Sequence, residues 1–217
     1  MIKILKSVLV AGYIILLILP VWVFFSNRGG LAAFSGLDFK NTLSVLFPLV
    51  GLLAFSFLSI QFLIGSNRRL LQKIFPGIVK FHRYHGLMVF VLATLHPLML
   101  LSGLGIATYI DTYLKTSRLP FALLGVSAWT LLCVTVITAL GAWKLQKFQG
   151  VWRKIHILNY LVFILVWFHS WFLGSDVQTS MLKYVWLLYG ALAVISILAR
   201  LQLSYKKSQQ ATVADNA

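Results

Sequence analysis

The residues of this chain with the clearest chemical potential are its five histidines. They fall in two apolar segments, one with His82, His85 and His96 and the other with His156 and His169. Imidazole nitrogens ligate metal ions and haem iron, and ionisable side chains inside long apolar segments are costly and usually functional. Five histidines in two segments, with none elsewhere, therefore predict a shared ligand rather than isolated packing residues.

The spacing of the histidines limits what that ligand can be. His82 and His96 are 14 residues apart, about 21 Å along a helix, and His156 and His169 are 13 residues apart, about 19.5 Å. A zinc ion needs three or four ligands that converge on one point, which these separations exclude. Haem needs one axial ligand on each side of its ring. Two parallel helices with near-equal spacing therefore predict two bis-histidine sites for haem b, one above the other.

Rotational phase leaves the choice of one ligand open. Fourteen residues fall about 40° short of four helical turns, so His82 and His96 share a face. The 11 residues from His85 to His96 lie close to three turns, so on phase alone His85 is an alternative to His82. The 13 residues between His156 and His169 fall about 140° short of four turns, so this helix must deviate from ideal geometry or contact the haems differently.

Composition places these segments in a membrane. The chain has 217 residues, of which 60% are hydrophobic and 11% charged, whereas about a quarter of the residues of a soluble domain are charged. Its apolar blocks match the roughly 20 residues that cross a bilayer as a helix. We expect an all-α integral membrane protein, a six-helix bundle over residues 1–204 with a polar, disordered cytoplasmic tail at 205–217. The predicted helices are Val8–Phe25, Leu43–Ile64, Phe81–Leu104, Phe121–Ala142, Ile155–Leu173 and Lys183–Ala199.

The basic residues predict the orientation. With six helices and a cytoplasmic N-terminus, 14 of the 19 Lys and Arg residues lie on the cytoplasmic side and 5 on the other. We therefore expect both termini in the cytoplasm and a location in the cell membrane, with the bacterial inner membrane favoured. The net charge of +15 then reflects membrane topology and not binding of nucleic acid.

Other classes of membrane protein fit less well. A proton-relay transporter predicts acidic residues beside the histidines, and none of the four acids lies within an apolar block. A metal transporter needs its ligands at one depth, whereas these lie at two. The single cysteine, Cys133, excludes an internal disulfide, and no glycine-rich nucleotide-binding loop is present.

Basic and aromatic residues near the histidines are secondary candidates. Arg83 and Arg153, with neighbouring lysines, lie near the cytoplasmic ends of the two helices, where they can pair with haem propionates, attract an acidic reductase or only set topology. Phe90 and Phe163 lie between the histidines of each helix. Packing is the favoured role for both, and filling the gap between two haems is the alternative.

Two motifs resemble a known family. The segment Phe81-His82-Arg83-Tyr84-His85-Gly86, followed by His96, resembles the H-R-x-x-G…H third helix of the ferric reductase-like transmembrane domain. The segment Trp152-Arg153-Lys154-Ile155-His156, followed by Asn159-Tyr160 and His169, resembles its W-R-x-x-H…Y…H fifth helix. The family includes ferric reductases, NADPH oxidases and the bacterial MsrQ haem subunits. The resemblance implies that the axial ligands of the haem iron are His82, His96, His156 and His169, and that His85 stands at a usually apolar position.

The resemblance also implies a function, namely electron transfer across the membrane to an extracytoplasmic acceptor such as a ferric chelate, oxygen or a periplasmic enzyme. Ferric reductases and NADPH oxidases continue into cytoplasmic FAD and NAD(P)H domains, whereas this sequence stops soon after the sixth helix. We therefore expect FAD or FMN only in a partner, with a cytoplasmic flavoprotein reductase or quinol as the donor. The alternative is an MsrQ-like haem subunit that feeds a periplasmic methionine sulfoxide reductase. MsrQ-type proteins often carry a basic residue where His82 stands, so His82 favours a full two-haem set over this alternative.

Overall fold

Helices account for nearly all of the secondary structure in the computed structural model, which describes residues 2–144 and 149–215. Within these ranges there is no β-strand. A short 3₁₀ helix at Gly30–Phe34 and a π-helical turn at Ile110–Leu114 accompany the α-helices. The α-helices are α1 Ile2–Ser26, α2 Phe39–Ser66, α3 Arg68–Ile74, α4 Ile78–Leu104, α5 Ile106–Tyr109, α6 Leu119–Lys144, α7 Gln149–His156, α8 Asn159–Leu173, α9 Ser175–Thr179 and α10 Leu182–Asp215.

Six segments of the described chain are long and apolar enough to cross a membrane, as the sequence predicts. They are Ile2–Ser26, Phe39–Ser66, Ile78–Leu104, Leu119–Ala142, Gly150–Leu173 and Leu182–Gln202. The fifth combines α7 and α8, and the other five each lie in one helix. The prediction of an all-helical protein with six membrane spans is confirmed, and the chain is a multi-pass membrane protein.

The last helix extends past residue 204, where the sequence predicts that a polar tail begins. Helix α10 continues without interruption through Asp215. Residues 191–215 contain no glycine or proline that would end a helix, and Lys, Gln and Ala are favourable in one. A polar composition therefore marks where the chain leaves the apolar region but not where its helix ends.

Two helical hairpins form the centre of the bundle. Helix α4 packs against α2, and α8 packs against α6. At Gly103 of α4 an added Cβ would lie 2.7 Å from the backbone nitrogen of Ser44 on α2, so these two helices touch backbone to backbone. Small residues permit such close approach in membranes, where van der Waals packing holds helices together. The histidines lie on α4 and on the fifth span, where His156 ends α7 and His169 belongs to α8.

A partly buried ion pair holds the segment that directly follows α1 against α9. The Arg28 guanidinium donates two hydrogen bonds to the Asp176 carboxylate, at 2.9 and 3.0 Å, and Asn27 donates a third at 3.2 Å. The Asp176 side chain is only 7% exposed. Bidentate pairing of this kind fixes geometry as well as charge. It therefore ties α1 to α9, directly before α10.

Candidate functional site

The structure brings four of the five histidines together as two pairs. The ring centres of His82 and His156 lie 6.3 Å apart, with the ring planes at 77°. Those of His96 and His169 lie 6.5 Å apart, with the planes at 84°. We call these the inner pair and the outer pair, after the sides of the membrane that the charge distribution predicts. Each pair takes one histidine from α4 and one from the fifth span.

The separation within each pair suits one metal ion between two imidazoles. An imidazole nitrogen binds a metal at about 2 Å, and the ring centre lies about 1 Å behind that nitrogen, so two opposed rings stand about 6 Å apart. The observed 6.3 and 6.5 Å agree with this distance. The two pairs therefore have the ligand number and spacing of a bis-histidine haem iron.

Hydrogen bonds determine which nitrogen each outer histidine offers. His96 Nδ1 lies 2.8 Å from the carbonyl oxygen of Phe47, and His169 Nδ1 lies 2.8 Å from that of Phe121. A carbonyl oxygen only accepts, so in both rings Nδ1 must carry the proton and donate. The lone pair then resides on Nε2. A second nitrogen held in this way is the usual arrangement of a metal-ligating histidine.

Two glycines let the outer rings lie directly on neighbouring helices. A Cβ added to Gly51 of α2 would lie 2.7 Å from His96 Cε1, and one added to Gly125 of α6 would lie 2.6 Å from His169 Cε1. Both distances are shorter than Cβ atoms sustain, so only glycine fits without moving the ring. Neither glycine was selected from the sequence, although Gly51 and Gly65 repeat the 14-residue spacing of His82 and His96.

The inner pair is held by side-chain amides instead. Gln61 Nε2 donates to the backbone carbonyl of His82 at 2.9 Å and lies 3.4 Å from its Nε2. Asn159 Nδ2 donates to the carbonyl of His156 at 2.9 Å and lies 3.1 Å from its Nδ1, while its oxygen accepts from Thr135. His82 Nδ1 is buried with no hydrogen-bond partner in the described chain. Leaving such an atom unpaired costs about 1–3 kcal/mol, a penalty that a bond to a metal removes.

A break in the helix of the fifth span changes the rotational phase between its two histidines. Helix α7 ends at His156 and α8 begins at Asn159. Across the break the backbone nitrogens of Leu158 and Tyr160 bond to carbonyls three residues earlier, as in a 3₁₀ turn, which winds each residue about 20° further than an α-helix. Asn159 causes this locally, because its side chain occupies the His156 carbonyl that Tyr160 would otherwise use. The extra winding at residues 157–158 shifts the phase in the direction that the 13-residue spacing requires, and it covers part of the 140° difference.

His85 lies outside both pairs. Its Nδ1 donates to Gln61 Oε1 at 3.0 Å, and its ring stacks on Phe57 with 5.0 Å between the ring centres. The ring also contacts Phe81 and Tyr13, and the residue is 5% exposed. The structure thus places His82, and not His85, opposite His156.

The predicted cations lie at the inner end of the bundle. Arg83 and Lys80 line an open cleft of about 440 Å³ at the start of α4, and Arg153 is exposed in the last turn of α7. Two further arginines lie in the neighbourhood of the inner pair, Arg68 near both histidines and Arg200 near His156. Arg68 and Arg200 were not selected from the sequence, because their proximity arises only when α3 and α10 fold against the histidine helices.

The two phenylalanines between the histidines belong to the core. Phe163 is 4% exposed and contacts Phe62 and Phe55, with ring centres 4.7 and 5.8 Å apart. Phe90 is partly buried and packs against the same cluster, which also contains Trp186. Packing, the favoured role, accounts for both contacts.

Comparison with known proteins identifies the family. Residues 50–167 match the family described as "Ferric reductase like transmembrane component". The chain belongs to this family. The matched segment includes the inner pair, His96, Gly51 and Gly125, and it ends two residues before His169. The resemblance of the two motifs is therefore confirmed by a match to more than half of the chain.

Proteins with curated names are also similar to this chain. A protein of Xanthomonas oryzae pv. oryzae (strain MAFF 311018) is 30% identical over 129 residues, which is 59% of this chain and 58% of that protein. A protein of Caulobacter vibrioides is 30% identical over 90 residues, 40% of this chain and 41% of its own length. Both are named "Protein-methionine-sulfoxide reductase heme-binding subunit MsrQ". No solved structure matches the chain.

Proposed function

We propose that this protein carries electrons across the membrane on two b-type haems. The axial ligands are His82 and His156 for the inner haem and His96 and His169 for the outer haem. The observation that carries the proposal is the presence of two histidine pairs whose ring centres are 6.3 and 6.5 Å apart. Membership of the ferric reductase-like family supports the same reading.

The protein's own residues hold, orient and shield these ligands. When bound, haem supplies an iron that accepts and releases one electron at a time. The carbonyls of Phe47 and Phe121 keep the outer Nε2 lone pairs available, and Asn159 and Gln61 brace the inner pair. A buried aromatic cluster around Phe163 packs between the helices and excludes water.

The distribution of charge supports a direction from the cytoplasm outward. The inner pair lies at the end of the bundle that holds 14 of the 19 basic residues if the N-terminus is cytoplasmic. An acidic cytoplasmic flavoprotein that carries FAD or FMN suits this basic end as a donor, and quinol from the bilayer is the alternative. The acceptor then lies outside the cytoplasm, beyond the outer pair, in a bacterial cell membrane.

A second, narrower candidate concerns the acceptor. The curated relatives are named as haem-binding subunits of a protein-methionine-sulfoxide reductase, which favours a periplasmic enzyme of that class over ferric iron. His82 is compatible with this role, because it completes a second site and does not exclude a protein acceptor. The match covers 58% of the length of the first of these relatives, so the identity of the acceptor is a proposal.

Electron transfer across sealed vesicles tests the proposed function. Purified haem-loaded protein is reconstituted into vesicles that enclose ferricyanide, and reduced FMN is added outside. We expect wild-type vesicles to bleach ferricyanide faster than protein-free vesicles do. Vesicles that contain His96→Ala should bleach it only as fast as protein-free vesicles. Wild-type protein with full haem content that bleaches no faster than protein-free vesicles would contradict the proposal.

A further inference from the structure

We propose that Gly51 and Gly125 are positioning residues that set the orientation and the tautomer of the outer histidines. The inference rests on the proposed function, since it concerns how the outer haem site is built. Each glycine lies four residues after the carbonyl that accepts from the histidine, Phe47 before Gly51 and Phe121 before Gly125. The glycine and the carbonyl together form a cradle for one imidazole ring.

Helix geometry explains why the two features occur four residues apart. In an α-helix every Cα–Cβ bond leans toward the N-terminus, so the side chain at i+4 stands beside the carbonyl of residue i. With glycine at i+4 that carbonyl is open from the side. The His96 and His169 Nδ1 atoms reach it at 2.8 Å while their rings lie on the bare glycine backbone. Any larger residue at i+4 would separate the ring from its acceptor.

The cradle occurs twice in the bundle. In the first hairpin α2 supplies Phe47 and Gly51 to a histidine of α4, and in the second α6 supplies Phe121 and Gly125 to a histidine of α8. Each hairpin therefore contributes one complete half of the outer site. Both contacts share a Phe carbonyl as the acceptor, a glycine four residues later and a close approach to Cε1 of the ring. Unrelated packing contacts would not be expected to share all three features.

Two other glycines of α2 and α6, Gly65 and Gly141, have looser surroundings and serve as a comparison. A Cβ added to Gly65 would lie 3.2 Å from His82 Cε1, a tight contact that a small shift relieves. A Cβ added to Gly141 of α6 meets no described atom within 4 Å. Alanine at Gly141 therefore changes the same helix without touching a histidine, and it is the matched control.

The test is haem binding by Gly51→Ala, Gly125→Ala and Gly141→Ala. Misplacing a group that orients a metal ligand typically weakens binding 10- to 100-fold, so we expect at least about tenfold weaker binding of the outer haem in the first two variants. Their inner haem stays bound, and the low-spin EPR signal of the outer haem shifts or is lost. Gly141→Ala keeps wild-type affinity and EPR signals. Equal binding by all three variants would overturn the proposal.

A double substitution separates ring displacement from general misfolding. Gly51→Ala is combined with His96→Ala, and the thermal midpoint of the detergent-solubilised protein is measured without haem. Because the added Cβ then has no ring to meet, we expect Gly51→Ala to lower the midpoint when His96 is present and to leave it unchanged or raise it when combined with His96→Ala. The same lowering in both backgrounds would show that Gly51 serves only helix packing. If the wild type binds no haem, the proposed function fails. The double-mutant comparison needs no haem, so it still shows whether Gly51 makes room for the His96 ring.

Discussion

Replacing His96 or His169 by alanine is expected to remove one haem of about two per chain and to leave the other. The Nδ1 hydrogen bonds leave Nε2 of both imidazoles as the ligand atom, and the ring centres are 6.5 Å apart, so the loss of either residue would leave a haem iron bound here with one axial ligand. The inner pair lies further toward the start of the same two membrane spans and does not include either residue. The measurement is haem per chain from a pyridine haemochrome assay on purified protein, with the fold checked by gel filtration.

The double variant gives the internal control for this prediction. Since His96 and His169 serve one site, His96→Ala/His169→Ala should lose no more haem than either single variant, a strongly non-additive result. Full haem content in both single variants would exclude the outer pair as a ligand set. Loss of a second haem only in the double variant would show that the two residues act in different sites.

Replacing His82 by alanine is expected to empty the inner site, whereas replacing His85 is expected to keep it filled. His82 lies opposite His156, with 6.3 Å between the ring centres. His85 lies outside both pairs, hydrogen-bonded through Nδ1 to Gln61 and stacked on Phe57. Each of the two rings has one buried nitrogen without a partner in the described chain, so the position opposite His156 is what distinguishes them. The two substitutions are matched, because they remove the same side chain from positions three residues apart in one helix.

The reduced-minus-oxidised spectrum and the haem count distinguish the two histidines. His82→Ala and His156→Ala should each hold about one haem with the same residual spectrum, and His85→Ala should hold about two. A small spectral shift in His85→Ala is compatible with its bond to Gln61, which also braces His82. Loss of the inner haem in His85→Ala, with retention in His82→Ala, would reverse the assignment of the inner ligand.

Much of the fold follows from simple patterns in the sequence, because the membrane leaves few alternatives. Apolar blocks of about 20 residues have to be helices in a bilayer, and six such segments are found in the described residues. The pairing of His82 with His156 and of His96 with His169 follows from two parallel helices with nearly equal spacing. The 13-residue interval also predicted that the fifth span either deviates from ideal helix geometry or contacts the haems differently.

The features missed from the sequence depend on contacts between helices. A glycine has no chemical signal of its own, and Gly51 and Gly125 gain meaning only when the facing helix presents a histidine. The location of the break in the fifth span depends on Asn159, whose side chain competes with the backbone for one carbonyl. Arg68 approaches the inner pair only because α3 folds back beside α4.

The most direct measurement is the reduced-minus-oxidised absorption spectrum of the purified wild-type protein, expressed with haem available, together with haem per chain. We predict a b-type spectrum of a bis-histidine haem protein with about two haems per chain. A value near one would contradict the assignment of one haem to each pair. Protein that is folded and holds no haem would contradict the proposal that the histidine pairs carry electrons.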